Sequence, residues 1–189
     1  MQHVRLGNSG LRVSRLCLGT MDFGTSMQET TANAIMDAAR EAKINFIDTA
    51  DAYTGGESEK MVGRLISADR EKWVLATKVG QQDGSPESKM GLSRRWMMRA
   101  IDASLKRLGT DYVDIYYLHH RDDQTPLVES IEAMRDIISK GKANYWGFSN
   151  HYGWEIGEII RLCDQVGCPR PVIAQPLYNL VMRMAENDY

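Results

Sequence analysis

Ionisable side chains stand where short apolar runs of this 189-residue sequence end. Asp48 closes the run NFID, Lys78 closes WVLATK, and His119 closes DIYYLH. Runs of that kind should be buried, and a buried ionisable group is costly unless it is paired. We therefore expect the carboxylate, the ammonium and the imidazole to pair with one another within a single site.

Polar residues also follow the other apolar runs of the sequence: Thr20, Ser149 with Asn150, and Gln175. Successive members of the whole set are separated by roughly the length of one strand-plus-helix unit, about 30 residues. In a (β/α)8 barrel the active site lies at the carboxyl ends of the strands, so residues far apart in sequence converge there. The spacing therefore predicts one rim that gathers all of these side chains.

Tyr53 follows Asp48 in the stretch IDTADAY, where a loop can bring it back over that rim. A tyrosine in a loop normally only packs. Beside an ammonium group, however, the positive charge stabilises the phenolate, so the phenol becomes a usable acid. Asp48 would hold Lys78 charged and oriented, and His119 could direct a carbonyl oxygen toward the phenol. Such a set suits the protonation of an alkoxide as a hydride arrives.

The elements that must position these residues are alternating strands and helices, as in repeated βα units with a parallel sheet. A hairpin that turns at Asn8–Gly10 comes first and is expected to plug or cover another part of the protein. The predicted strands are Arg15–Leu18, Ile44–Asp48, Trp73–Lys78, Tyr112–Leu118, Ala143–Phe148 and Val172–Gln175. The predicted helices are Thr30–Lys43, Glu57–Ser67, Ser93–Leu108, Pro126–Lys140 and Trp154–Val166.

Such a pattern fits either a doubly wound sheet or a barrel, and periodicity alone does not separate the two. A doubly wound dinucleotide site needs GxGxxG at its first strand-to-helix turn, whereas this turn reads GTMDFG. The sequence therefore favours a barrel. The length suits one domain, which we expect to span residues 1–189.

The composition is that of an ordinary globular protein, with 43% hydrophobic residues, 25% charged residues and a formal net charge of -2. This balance favours neither nucleic acid nor an anionic membrane surface as a partner. The three cysteines lack CxxC spacing, and no apolar run approaches the roughly 18 residues that span a bilayer. We therefore expect a cytoplasmic protein without a disulfide framework.

Six motifs in order make almost the whole chain resemble the aldo-keto reductase superfamily: LGTMDFG, FIDTADAY, ATK, YVDIYYLHH, GFSN and AQPLYN. The resemblance implies a TIM barrel that reduces an aldehyde or ketone to an alcohol, using NADPH, with NADH not excluded. It implies Tyr53 as the general acid and His119 as the group that orients the carbonyl. Lys78 and Asp48 would be the pair that tunes the phenol.

The same resemblance implies a set of cofactor contacts. The residues expected to hold the nicotinamide carboxamide are Ser149, Asn150 and Gln175. Those expected beside the ribose are Thr20, Met21 and Asp48. The neighbouring His120 should point to the opposite side from His119, because side chains alternate along a strand. We expect His120 to have a structural or substrate-lining role and no metal to be bound.

The sequence departs from the superfamily at its end, because members usually have eight strands and this chain stops at Tyr189, shortly after the sixth. The family's pyrophosphate and adenosine contacts follow the seventh and eighth strands. Three explanations stay open: further residues follow, the chain is an inactive truncated fragment, or two copies complete each other's sheet as a homo-oligomer. A chain with an unclosed sheet should bind NADPH poorly.

Two other functions also stay open. Some relatives of this fold are non-catalytic, cofactor-sensing channel subunits, and the four site residues do not exclude such a binding module. A metal-dependent hydrolase built on Asp48, Asp51, His119 and His120 is a weaker alternative, since no HxH or HExxH spacing occurs. The loop Gln81–Leu92 is polar and glycine-rich without a charge clamp, so it does not select among aldehydes and ketones.

Overall fold

The structure is a computed structural model that describes residues 1–81 and 91–189. An antiparallel hairpin, β1 (His3–Arg5) and β2 (Arg12–Ser14), opens the chain. The parallel strands that follow are β3 (Cys17–Gly19), β4 (Phe46–Asp48), β5 (Val74–Val79), β6 (Val113–Leu118), β7 (Ala143–Ser149) and β8 (Ile173–Gln175). They form one six-stranded sheet in chain order, curled as part of a (β/α) barrel. The predicted fold class is confirmed.

Helices link the successive strands: α1 (Glu29–Glu41), α2 (Glu57–Ile66), α3 (Arg94–Leu108), α4 (Leu127–Ser139) and α5 (Gly153–Val166). A short helix, α6 (Ala185–Asp188), follows β8. Two 3-10 turns, Tyr53–Gly56 and Arg70–Lys72, were not predicted. The first of these carries the tyrosine of the expected site.

The ends of α3 show why the sequence pattern located the helices well. Ser93 caps the start, and its hydroxyl accepts a hydrogen bond from the Trp96 amide at 3.3 Å. Gly109 ends the helix with a left-handed φ of 65°, which glycine adopts without a steric penalty. The buried stripe between them includes Ala100 and Ile101, as the helical periodicity predicted.

Side chains alternate across the sheet and build two apolar layers. Ile47 and Leu75 face the helices and join the main core there. Phe46 and Val74 face the inside of the curl, where Leu6 of the hairpin packs against them. The hairpin therefore covers the inner face of the sheet, as expected.

The hairpin is fixed at the amino-terminal end of the strands. The Ser14 amide donates to Asn45 Oδ1 at 2.7 Å, and the Asn45 side-chain amide donates to the Arg12 carbonyl at 3.1 Å. Asn45 immediately precedes β4, so this contact leaves the carboxyl-terminal rim uncovered.

Within the described ranges, no helix combines the length and the apolar character that a membrane crossing requires.

Candidate functional site

Asp48 and Lys78 form a buried ion pair on the inner face of the sheet. Asp48 is the last residue of β4, and Lys78 lies one residue before the end of β5. Lys78 Nζ donates to Asp48 Oδ2 at 2.5 Å and to the Thr49 carbonyl at 2.9 Å. The two side chains are only 2% and 8% exposed, so water screens this pair very little.

Tyr53 completes the environment of the lysine. It begins the 3-10 turn between β4 and α2, and Lys78 Nζ donates to its hydroxyl oxygen at 3.0 Å. The ammonium also lies 4.6 Å from the centre of the phenol ring. Since an ammonium group has three N–H donors, Asp48, Thr49 and Tyr53 can satisfy all of them. The phenol oxygen is therefore held beside a fixed positive charge.

His119 lies across the mouth from this group. Its backbone amide donates to the Val79 carbonyl at 2.7 Å, which continues the β5–β6 ladder past Leu118. The imidazole centre is 5.7 Å from the Tyr53 ring centre, with the rings 78° apart. Burial, with smaller contributions from the charges of Lys78 and His120, lowers the pKa of His119 to about 3. The imidazole is therefore neutral near pH 7.

Two buried atoms of the site stay unpaired among the residues that the structure describes: Asp48 Oδ1 and His119 Nδ1. Burial raises the pKa of Asp48, while the charge of Lys78 and side-chain hydrogen bonds from Lys78 and Gln175 to this carboxylate oppose that rise. A buried acceptor without a donor is uncommon in folded proteins and calls for an explanation. The position of Asp48 Oδ1 at the mouth suits a ligand that donates a hydrogen bond from a hydroxyl group.

Ser149, Asn150 and Gln175 lie at the carboxyl ends of β7 and β8, where Ser149 pairs with Gln175 in the parallel register. The Ser149 hydroxyl donates to the Gln175 carbonyl at 2.7 Å. The Asn150 amide donates to the His119 carbonyl at 3.0 Å and to Ser149 Oγ at 3.0 Å. Asn150 therefore ties the histidine backbone to the end of β7. The predicted rim holds these three residues beside the ion pair.

Thr20 and Met21, predicted beside a cofactor ribose, lie directly after β3 and differ in exposure. Thr20 is 1% exposed, and its hydroxyl donates to the Asp48 carbonyl at 2.9 Å. Met21 is 60% exposed. The hydroxyl of Thr20 thus supports the backbone of Asp48, and the ribose contact stays a prediction.

His120 differs from the sequence expectation. Its ring stacks on that of His119, with the centres 4.7 Å apart and the planes 23° apart, rather than pointing to the opposite side. The reason is that β6 ends at Leu118, so the alternation of a strand no longer applies to either histidine. His120 lines a cavity of about 280 Å³ together with Gln81, Arg121 and Asn150. Most of the loop Gln81–Leu92 lies outside the described residues.

The sequence analysis missed a buried hydroxyl cluster around Ser58, near the start of α2. The Ser58 hydroxyl donates to the Thr20 carbonyl at 2.7 Å and lies 2.8 Å from Thr49 Oγ1. The Ser58 amide donates to Thr54 Oγ1 at 2.9 Å. Serine and threonine are common in loops, so their types gave no signal of this cluster. Only the pair Gly55-Gly56 marked a tight turn after Tyr53.

A second missed group links α2, α3 and β5 behind the site. Glu59 is fully buried and accepts hydrogen bonds from Thr77 at 2.6 Å and from Arg107 at 2.5 Å. Thr77 precedes Lys78 and faces the helices, because neighbouring residues of a strand point to opposite faces. The pair of Glu59 with Arg107, together with the hydrogen bond from Thr77, therefore fixes α2 and α3 against β5, the strand that carries Lys78.

Over the described part of the chain, no group of three His, Cys, Asp or Glu side chains is arranged to hold a metal ion.

A curled parallel sheet carries an ion pair, a phenol and an imidazole at its carboxyl-terminal mouth, the face at which (β/α) barrels gather their functional residues. The sequence model of the aldo/keto reductase family matches residues 15–188. The chain therefore belongs to this family, as the motif order had indicated.

Individual relatives agree with this membership. The chain is 40% identical to the uncharacterized oxidoreductase YrpG of Bacillus subtilis (strain 168), an alignment that covers 100% of this chain and 61% of that protein. It is 38% identical to a probable voltage-gated potassium channel subunit beta of Oryza sativa subsp. japonica and 37% identical to one of Arabidopsis thaliana. Each of those alignments covers 97% of this chain and 57% of the relative. The chain thus spans 57 to 61% of the length of these curated relatives.

Proposed function

We propose that the protein is an oxidoreductase that reduces an aldehyde or ketone to an alcohol with NADPH or NADH, and that Tyr53 delivers the proton. The contact that carries this proposal is the 3.0 Å hydrogen bond from Lys78 Nζ to the Tyr53 hydroxyl oxygen. Because the phenol oxygen accepts from the ammonium, its own proton is available to a bound carbonyl oxygen. Family membership and the oxidoreductase among the relatives support the same class of reaction.

Tyr53 and Lys78 can accommodate the negative charge that develops on the carbonyl oxygen during reduction. As the carbonyl oxygen gains negative charge, the phenol proton moves to it, and the phenolate that remains is stabilised by the Lys78 ammonium. Asp48 holds that ammonium in place through its 2.5 Å hydrogen bond. The proton lost from Tyr53 returns from solvent after the alcohol leaves.

His119 would orient the carbonyl group. As a neutral imidazole it offers one N–H donor, which can hold the carbonyl oxygen near the phenol without placing a second cation beside Lys78. Its backbone is fixed by Val79 and Asn150, so the ring position is set by the ends of β5 and β7. His119 thus positions the oxygen that Tyr53 protonates.

The residues present fit a nicotinamide cofactor. Asp48 Oδ1, which has no hydrogen-bond partner within the described residues, suits a ribose hydroxyl donor. The amides of Asn150 and Gln175 and the hydroxyl of Ser149 match the donors and acceptors of a carboxamide. The bound cofactor would supply the hydride to the carbonyl carbon. NADPH is our first choice because the family resemblance implies it.

Small carbonyl compounds are the substrates that we propose. The cavity beside His120 is lined by Gln81, His120, Arg121 and Asn150, whose side chains are all of types that can form hydrogen bonds. A carbonyl compound that carries further polar groups would therefore leave fewer of these lining groups unpaired than a purely apolar one.

A cofactor-binding module is the second candidate function. Two of the relatives are named as probable channel subunits, and they match this chain almost as well as the oxidoreductase does. Such a module would bind the same cofactor through the same rim. It would differ in turning over slowly or not at all.

Steady-state assays of the full-length protein with a panel of aldehydes and ketones separate the two functions. We expect reduced nicotinamide to be consumed, measured by its absorbance, and Tyr53→Phe to lose turnover while cofactor fluorescence titration still shows binding. The matched control is Tyr112→Phe, just before β6 at the opposite end of the strand, which should keep activity. Cofactor binding without turnover on any carbonyl would contradict the reductase and favour the module.

A further inference from the structure

Thr54, directly after Tyr53, has a backbone conformation that is unfavourable for its residue type. Its φ is 51° and its ψ is 35°, in the left-handed region, and Gly55 and Gly56 continue with φ values of 66° and 91°. Glycine adopts such angles freely, but a β-branched threonine there is an outlier that stores backbone strain. Such a residue persists only when its surroundings hold it in place.

The hydroxyl of Thr54 supplies that hold. Thr54 Oγ1 accepts a hydrogen bond from the Ser58 amide at 2.9 Å, at the start of α2. It donates to the Phe23 carbonyl at 2.9 Å, and the Tyr53 carbonyl is an alternative acceptor at 2.8 Å. One side chain therefore joins the helix, the turn that carries the phenol, and the loop after β3.

The loop that contains Phe23 is itself firmly packed. Phe23 is 2% exposed, and its amide donates to the Thr20 carbonyl at 3.0 Å. Next to it, Gly24 approaches α2 so closely that an added Cβ would lie 2.7 Å from the Cβ of Glu57. The carbonyl to which Thr54 donates is therefore a fixed point rather than a mobile one.

Ser58 extends this anchor to the lysine. Its hydroxyl lies 2.8 Å from Thr49 Oγ1, and the carbonyl of Thr49 accepts a hydrogen bond from Lys78 Nζ at 2.9 Å. The phenol and the ammonium are thus attached to one network of hydroxyl groups from both sides. A shift of the Tyr53 turn would move the phenol relative to Lys78 while leaving the ion pair with Asp48 intact.

We propose that Thr54 is a positioning residue, whose strained backbone and anchored hydroxyl set the distance between the Tyr53 phenol and the Lys78 ammonium. This inference rests on the proposed function only for its effect on turnover. The geometric effect stands without it, because the distance can be measured whether or not the protein is a reductase. A misplacement of about 1 Å at a reacting group can lower a rate by about 100-fold.

Three substitutions in the full-length protein test this role. Thr54→Val keeps the shape and removes both hydrogen bonds, Thr54→Gly removes them and also relieves the backbone strain, and Thr54→Ser keeps the hydroxyl. We expect Thr54→Val and Thr54→Gly to lower kcat by about 100-fold while KM and cofactor binding stay unchanged. Thr54→Ser, which keeps the hydroxyl group, should keep a kcat close to that of the wild type. In crystal structures of the Val or Gly variant, the phenol–ammonium distance should exceed about 3.2 Å.

Thr110→Val is the matched control. It also removes the hydroxyl of a partly buried threonine, in this case one that donates a hydrogen bond to the Tyr112 carbonyl, away from the mouth. It should keep kcat. If Thr54→Val does not fold, Thr54→Gly still decides, since glycine accepts the left-handed backbone without strain. The proposal is overturned if a folded Val or Gly variant keeps both the 3.0 Å contact and the wild-type kcat, or if Thr54→Ser fails to keep that kcat. An inactive wild type would instead refute the proposed function. The effect of Thr54 on the distance between the phenol and the ammonium could still be measured in crystal structures of the variants.

Discussion

Lys78 Nζ lies 3.0 Å from the hydroxyl oxygen of Tyr53, although the two residues are 25 positions apart in the chain. β5 brings the lysine to the rim, and the 3-10 turn after β4 brings the phenol back over it. The remaining donors of the ammonium go to Asp48 and to the Thr49 carbonyl. The phenol oxygen therefore lies beside an ammonium group whose three N–H donors all have acceptors and whose position is fixed.

The buried ion pair gives the first prediction. Asp48→Asn keeps the shape of the side chain but leaves the ammonium of Lys78, which is 1% exposed, without a counter-charge. We expect the free energy of unfolding at neutral pH to fall by about 3–5 kcal/mol, the usual cost of breaking a buried pair. Urea denaturation measures this change. Asp37→Asn, which breaks an exposed pair with Arg40, is the control and should have little effect.

Removal of both charges provides the counter-test of the ion pair. In the double variant Asp48→Asn/Lys78→Met no charge is left unpaired, so much of the lost stability should return. A double variant that is even less stable than Asp48→Asn would show that packing, and not an unpaired ammonium, explains the loss.

The second prediction concerns pH. The pKa of His119 is about 3 in the folded protein, against an ordinary value of 6.5. Between these values the unfolded chain binds a proton that the folded protein does not, so stability falls as the pH drops through this window. The variant His119→Asn has no imidazole at this position, so its stability does not depend on proton binding there. Between about pH 7 and pH 4 the wild type should lose more stability than the variant, as measured by urea denaturation at each pH.

NMR can follow the same imidazole directly. The ring resonances of His119, assigned by their absence from the spectrum of His119→Asn, should not shift between about pH 8 and pH 5. An inflection near the ordinary histidine value would mean that the ring is more exposed to water than the structure indicates.

The third prediction compares two glycines within helices. A Cβ on Gly63 of α2 would lie 2.3 Å from the Leu108 carbonyl oxygen of α3, whereas a Cβ on Gly157 of α5 would meet nothing within 4 Å. Gly63→Ala should therefore destabilise the protein by about 1–3 kcal/mol, through forced movement of the backbone. Gly157→Ala should stabilise it by roughly 0.5–1 kcal/mol, because alanine favours the helix. Thermal unfolding of both variants checks the signs, and equal signs would count against the close α2–α3 contact.

Much of the fold followed from the sequence because local patterns determine it. Every predicted parallel strand is present in the predicted order, and α3 has the cap at Ser93 and the end at Gly109 that the residue types indicated. The position of Asp48 and Lys78 at strand ends followed from the same local patterns. Asp48 and Lys78 are ionisable groups at the ends of apolar runs, where burial requires a partner.

The parts that sequence did not predict depend on tertiary contacts. Thr54 adopts a left-handed backbone against the preference of its own residue type, because the Phe23 carbonyl and the Ser58 amide hold its hydroxyl. His120 stacks on His119 because the strand ends at Leu118, before both histidines, so alternation does not separate them. Neither arrangement has a signal within a short window of sequence.

The fourth prediction, a double-mutant cycle on Tyr53 and Lys78, tests most directly whether these two residues act as one unit. In the full-length protein, Tyr53→Phe and Lys78→Met should each lower kcat/KM by about 100- to 10,000-fold. The double variant should be no slower than the slower single variant, because either change alone already abolishes the same proton transfer. If the two losses instead multiply, the phenol and the ammonium act independently, and proton delivery through their 3.0 Å contact is wrong.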